Sequence, residues 1–398
     1  MLPGQLPGEN VLKFYSLIGT RNPYQSPDDF MDSMNTRKIL STSLVFGLLP
    51  LSVLLFAGSA WVPDFIEHVY ARCLYPAMAS PLSRVTGVLP FSLAEFFIYG
   101  AALLFFFRIV RAVVRMARRR VKIRTQLGRF VRHAFLVLGI IYFLFIFLWG
   151  CNNNRWTLER IEGYETGSVT VSELERCITE MNRGAALEVP AVMRDAGGIM
   201  LRGNRKDLIC VVEDSFGTCS FLSPLLEGTY GRPKEYFFST ILSRMGTAGF
   251  YFPFTGEVTL NGDIPAVTRP FVMAHEMAHQ RGFARENEAN FIAYRVCAAS
   301  ASAELRYSAR VTAIMYLLGN LKREDTARYE AILKRLDRRV LAEIDNNRKF
   351  WQSRQGRARK IFSAWNDLFL RASNQKEGRK SYGRFTDLLV AAMRSGQL

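Results

Sequence analysis

His275-Glu276-Met277-Ala278-His279-Gln280-Arg281-Gly282-Phe283-Ala284-Arg285-Glu286-Asn287-Glu288-Ala289-Asn290 is the stretch on which the reading of this chain turns. Its first five residues form an HExxH pattern. On a helix, positions i and i+4 lie one above the other on the same face, so both imidazoles can reach one ion. Glu276 then projects beside them, where a carboxylate can serve as the general base of a metal-dependent hydrolysis. The chain has four histidines, and the remaining two, His68 and His133, lie far away in sequence. Two packed core histidines are the bland alternative, and they would leave the carboxylate between them without a task.

Zinc requires a third protein ligand while one position stays open. The metzincin spacing would place a histidine at 285, where Arg285 stands instead. An acid is therefore expected to close the site: Glu286 first, Glu288 as the alternative, Glu257 more distantly. If Gly282 permits a hairpin, the face of Glu286 continues through Ala289, Asn290, Ala293 and Cys297, all small enough for close approach to the HExxH helix. The face of Glu288 continues through Ile292 and Arg295, which offers that acid an ion pair instead. Asn290, one turn after Glu286, is positioned to orient a histidine. Tyr294, Tyr251 and Arg281 are candidates for stabilising an oxyanion. Glu257 reads equally as an anchor for a substrate amine or as a structural acid.

Outward from the motif, Glu257 to Leu260 reads as a strand closed by the turn Asn261-Gly262, and it offers pairing to an extended substrate. A helix is expected from Pro270 to Gln280 and another from Arg285 to Ser300, with an apolar helix near Ser308 to Leu318. Charged helices follow over 324–345, 357–371 and 384–394, with a solvated basic face that could lie near anionic lipid. Upstream, Ser172 and Glu175 have capping-box spacing for a helix reaching about Met181. Leu208 to Val212 reads as a strand.

The chain has 398 residues, 49% of them hydrophobic, and a net charge of +17. This balance excludes a disordered tail protein and a small disulfide scaffold. The basic excess carries no nucleic-acid-binding motif, so no nucleic-acid partner is expected. Its distribution points to a bilayer. Ile39 to Pro63 holds no charged residue over 25 positions, and Ala134 to Gly150 none over 17. Leu89 to Phe107 is apolar apart from Glu95, which is expected near the interface or facing its neighbours. Ten basic residues and no acid fall between Arg108 and Arg132. Such a loop stays in the cytoplasm. The expectation is a cytoplasmic tail over 1–36, a three-helix transmembrane region over 37–150 with the basic loop 108–132, and an extracytoplasmic domain over 151–398. A cleaved signal peptide is disfavoured because the first apolar run is long for one. The six cysteines, Cys73, Cys151, Cys177, Cys210, Cys219 and Cys297, then all lie outside, where disulfides are permitted. Cys210 and Cys219 would pair if their strands were adjacent, and Cys297 reads as a buried thiol.

Phe147 to Cys297 resembles the bacterial membrane family catalogued as domain of unknown function 3810. The resemblance is carried by Trp149-Gly150 before Asn152, by Pro253-Phe254-Thr255-Gly256-Glu257, and by His275 through Cys297. It implies a multi-pass protein of the bacterial cytoplasmic membrane: three N-terminal transmembrane helices followed by an α+β, mainly helical, zincin-like domain. Arg285 to Asn290 also resembles the Arg-Glu-x-x-Ala-Asp element of membrane zincins of the heat-shock and CAAX-processing type, which implies Glu286 as the ligand. Here Asn290 replaces the Asp, and the separation from HExxH is shorter than in those proteins.

The expected function is zinc-dependent hydrolysis of peptide bonds at the outer membrane face. One zinc ion would be held by His275, His279 and Glu286, with Glu276 as general base. Its partners would be a peptide or an envelope or membrane protein, and the lipid bilayer. The rival reading is a non-catalytic metal- or peptide-binding sensor or scaffold, for which an intact Glu276 has no use. A transporter leaves HExxH unexplained.

Overall fold

The computed structural model describes residues 46–118, 123–219, 221, 224–375 and 384–398. The tail assigned to 1–36 and residues 119–122 of the basic segment lie outside them; the rest of the loop expected over 108–132 is almost wholly helix, since Leu93–Ala117 runs into it from one side and Ile123–Leu148 from the other. The described residues form two compact units. One holds those up to Leu55 and those from Ala112 to Phe143, and the other holds Phe56–Arg111 and those from Leu144 to Leu398.

The N-terminal part is helical. Helix α1 (Phe46–Ser59) and α2 (Pro63–Gly87) meet at a bend of 92°. Pro63 opens α2 at a position that needs no backbone donor. Helix α2 is continuous, with a π-helical stretch at Ile66–Leu74. Helices α3 (Leu93–Ala117) and α4 (Ile123–Leu148) are long and apolar enough to cross a membrane, and α1 with α2 adds a third crossing if the bent pair is one span. Glu95 sits in the first turn of α3, buried, and accepts the Phe237 N–H at 2.9 Å. A backbone donor from outside α3 thereby meets the acid, which faces a neighbour, one of the two placements expected for it.

Helix α5 (Leu158–Glu162) and α6 (Val171–Glu188) follow. The capping box of α6 is Thr170 with Glu173, two residues before the expected pair, and the helix runs past Met181 to Glu188. Helix α7 (Arg205–Thr218) replaces the strand expected at Leu208 to Val212. The β-branched run there favours a strand by composition. However, Ile209, Val212 and Phe216 are buried at helical spacing, and the Asn204 side chain caps the first turn. Cys210 lies on α7 and Cys219 is its C-cap, so no adjacent strands join them, and all six cysteines are free thiols. Cys297 is buried, as expected.

A three-stranded sheet comprises β1 (Lys234–Glu235), then, after α8 (Ser239–Met245), β2 (Gly249–Phe252) and β3 (Glu257–Leu260). Its order is β1-β3-β2, with β3 parallel to β1 and antiparallel to β2. The expected strand at Glu257 to Leu260 is therefore present, but it is central and both its edges are taken.

Helix α9 (Arg269–Gln280) packs on β2 and β3 and against α10 (Glu286–Ala298). Helix α11 (Ala303–Glu324) packs on α6, α9 and α10. The charged segment 324–345 is two helices, α12 (Thr326–Leu333) and α13 (Arg338–Gln352), because Asp337 caps a new one through the Arg339 N–H. Helix α14 (Arg357–Ala372) and α15 (Phe385–Arg394) complete the chain. One apolar core joins α6, α7, α9, α10, α11 and α15. A smaller one sets Ile66, Tyr70, Tyr75 and Ala79 of α2 against Trp149 and Ala284. That second core ties the site helices to the chain as it leaves α4.

Candidate metal centre

Helix α9 ends in a Schellman turn. The Gly282 N–H bonds the His279 carbonyl at 2.9 Å, and the Phe283 N–H bonds the Ala278 carbonyl at 3.2 Å. Gly282 takes φ +87°, and a Cβ there would meet the Tyr75 ring at 2.9 Å, so both conformation and space require glycine. The turn reverses the chain into α10 and lays Glu286, in the first turn of α10, beside α9.

Three side chains converge there. Glu286 Oε2 lies 3.2 Å from His275 Nε2 and 3.7 Å from His279 Nε2. The three donor atoms all lie within 4.8 Å of one another. The two imidazole rings stand edge to face, 4.6 Å between centroids. His279 Nδ1 lies 2.7 Å from the Phe283 carbonyl, which orients the ring and turns Nε2 toward Glu286. The carbonyl that orients one ligand thus belongs to the turn that delivers the next.

Electrostatics bind the cluster together. Burial pulls the His279 pKa down, but the hydrogen bond and charge of Glu286 outweigh it and raise it to about 9. Burial alone would raise the Glu286 carboxyl, and the two histidines hold it well below the ordinary carboxylate range. Glu276 is 5% exposed, and burial raises its pKa. Two imidazole nitrogens and a carboxylate oxygen, aimed at one point, match the donor chemistry of a zinc site with a position left for a further ligand. The residues present fit that ion.

Glu288 does not enter the cluster. It is 1% exposed and accepts from Arg285 at 2.7 Å and from the Leu158 N–H at 3.0 Å. Its partner is Arg285, not Arg295. Arg285 also donates to the carbonyls of Asn153, Arg155 and Trp156. The pair therefore clamps the segment that follows α4. Asn290 interacts with Tyr316 of α11 instead of orienting a histidine.

The other sequence candidates separate clearly. Glu257 accepts from the Leu93 and Ala94 N–H groups at 3.1 and 2.8 Å and from Thr255 at 2.9 Å. It also pairs with buried Lys234, whose ammonium is shared with the Thr86 and Phe91 carbonyls. It is a structural acid at the N-terminus of α3, where negative charge favours the helix. The Tyr294 hydroxyl points to Met181 Sδ at 3.1 Å, in the core. Arg281 is buried between Phe216 and Tyr230 and bonds the Leu226 and Met277 carbonyls. Tyr251 adjoins the site: its backbone N–H donates to Glu276, and its hydroxyl meets that of Tyr75 at 3.2 Å.

Three contributors escaped the sequence reading. Gly249 on β2 lets the strand approach Glu276, since a Cβ there would stand 2.9 Å from Glu276 Cγ. Tyr316, half-buried on α11, lies close enough to Glu286 for that charge, after burial, to help raise its pKa to about 12. Trp149 donates from its indole to the His279 carbonyl at 3.2 Å. The target of Trp149 lies 130 positions away in sequence, and no local pattern encodes such a pairing.

A family model matches residues 70–390, from inside α2 to α15, so the match takes in α3, α4 and every residue of the cluster. The chain belongs to the DUF3810 family, described as a protein of unknown function. No curated protein matches the chain, and no solved structure does.

Proposed function

We propose that this chain is a membrane-anchored zinc metallopeptidase with a zincin-like site on the extracytoplasmic side. The observation that carries the reading is the convergence of His275, His279 and Glu286 within 4.8 Å, with the Glu276 carboxylate on the adjacent helical position. Zinc held by those three side chains would supply Lewis-acid activation of a peptide carbonyl and of water.

The protein's own groups account for the remaining chemistry. Glu276 takes the proton of the attacking water and delivers it to the leaving amine, a role that its raised pKa suits. Tyr316, whose hydroxyl feels the Glu286 charge and interacts with Asn290, is assigned the donation to a developing oxyanion. The strand that can pair with an extended substrate is β2, because β3 is enclosed by β1 and β2. The Glu276 carboxylate meets β2 at the Tyr251 N–H. Trp149 links the His279 carbonyl to the first residue after α4, which favours substrates presented close to a bilayer, such as membrane or envelope proteins. The ten basic residues from Arg108 to Arg132, on the end of α3, the start of α4 and the short link joining them, favour the outer side for the domain.

Metal analysis of the full-length protein in detergent, with Glu276→Gln beside it and a peptide-library cleavage assay, tests this. One zinc per chain in both proteins and cleavage by the unmutated one alone is the expected result. Zinc without cleavage in either would leave a metal- or peptide-binding scaffold. Cleavage that persists in Glu276→Gln would remove the mechanism.

A further inference from the structure

Helix α14 presents an apolar surface to the outside. Ile361, Trp365 and Leu368 are 72%, 55% and 65% exposed and recur at helical spacing on one face. Arg357, Lys360 and Arg371 flank them, while Leu370 on the opposite side is buried in the protein. A soluble domain gains nothing by ordering a tryptophan, a leucine and an isoleucine in water on one stripe.

The stripe runs into a membrane helix. Trp365 stacks on Phe369 at 5.7 Å, and Phe369 packs on Phe145 at 5.8 Å. Phe145 belongs to the apolar stretch Phe130–Leu148 of α4, one turn before its end. A second apolar surface lies on and just before α8. Phe237, Phe238 and Ile241 are 83%, 49% and 44% exposed. Phe238 meets the Tyr99 ring of α3 at 5.7 Å, and the Phe237 N–H is held by Glu95 in the first turn of α3. Helix α8 packs against α14. Each surface is continuous with a different helix able to cross a membrane, at the end of that helix nearest the site.

We infer that the exposed faces of α8 and α14 form a lipid-contacting surface that seats the C-terminal domain on the bilayer leaflet from which α3 and α4 emerge. The occupant is the acyl–headgroup boundary. The apolar stripe enters it, and the flanking Arg357, Lys360 and Arg371 suit the phosphate level, as in interfacial amphipathic helices. The inference rests on the membrane assignment of α3 and α4 and is independent of the peptidase reading.

Site-directed spin labelling of the full chain in phosphatidylcholine–phosphatidylglycerol nanodiscs tests it. Cysteines replace Phe237, Ile361 and Leu368 singly, in a background with Cys73, Cys151 and Cys210 changed to serine. Leu138→Cys in α4 reports the span, and Thr179→Cys on α6 reports water. These side chains are exposed, so labels there leave the core intact. Labels at 237, 361 and 368 are expected to collide several-fold more often with oxygen than with a water-soluble nickel chelate, matching 138 and opposite to 179. Access to nickel equal to that at 179 would overturn the proposal. So would shielding from both reagents, which would mean a protein covers the surface. A label at 138 that reports water would instead remove the membrane assignment beneath it.

Discussion

Gly249 and Glu276 touch so closely that a β-carbon on the glycine would stand 2.9 Å from Cγ and 3.0 Å from Oε1 of the glutamate. The Thr259 carbonyl would stand 3.1 Å from the same β-carbon. Gly249→Ala is therefore expected to displace the Glu276 carboxylate while leaving His275, His279 and Glu286 in place. General acid–base catalysis contributes roughly 10²–10⁴-fold. Turnover should fall at least about tenfold with zinc content unchanged, measured by peptide cleavage beside metal analysis. Loss of metal in this variant would show that β2 supports the ligands themselves.

The Schellman turn makes a different demand. Gly282→Ala forces a side chain into a left-handed position and against the Tyr75 ring. A cost of about 1–3 kcal/mol is expected, seen as a lower Tm, together with weaker zinc binding because Phe283 no longer orients His279. An unchanged affinity in titrations would separate the turn from the site.

Two neighbouring acids should part company. Glu286→Gln is expected to abolish stoichiometric zinc while the fold persists, because its carboxylate faces the histidines. Glu288→Gln should keep zinc but lower stability by about 1–3 kcal/mol, since it weakens the buried clamp with Arg285 and Leu158. Metal content and thermal unfolding of both variants check this, and a reversed pattern would move the ligand assignment to Glu288.

Acid sensitivity has a definite source in Glu188. Hydrogen bonds from Arg306, and then from Arg310, outweigh its burial and hold its pKa below the ordinary value. A depressed folded-state pKa contributes stability that is fully present above the unfolded value of about 4.3 and is lost as pH falls through the folded one. Glu188→Gln should thus lower Tm at pH 7 and flatten its decline below about pH 4.5. Parallel declines in both proteins would assign the acid response elsewhere.

Tyr316→Phe removes a single hydroxyl near Glu286. A fall of about tenfold to a hundredfold in kcat is expected, with KM and zinc little changed, as for a donor to an oxyanion. A change confined to KM would assign the hydroxyl to substrate binding.

The apolar helices, the strand at Glu257–Leu260 and the helices around HExxH were legible in sequence because each is written in a local period. What was misread or left open has one cause. At Leu208–Val212, β-branched composition suggested a strand, yet burial at 209, 212 and 216 made a helix. At Glu257, the sequence left a substrate anchor and a structural acid equally open, and the partners Leu93, Ala94 and Lys234, 164, 163 and 23 positions away, select the second. Composition states what a segment tolerates, and long-range packing selects among the options.

The spacing of His275 and His279 needed nothing beyond the helix, since 3.6 residues per turn bring i and i+4 to one face. Only the folded chain decided that Glu286 and not Glu288 joins them. It also decided that β3 is central with β2 at a sheet edge beside Glu276, and that Gly249, Tyr316 and Trp149 lie near the site. Those choices depend on which apolar faces bury one another, a free energy summed over residues distant in sequence, and no local pattern contains it.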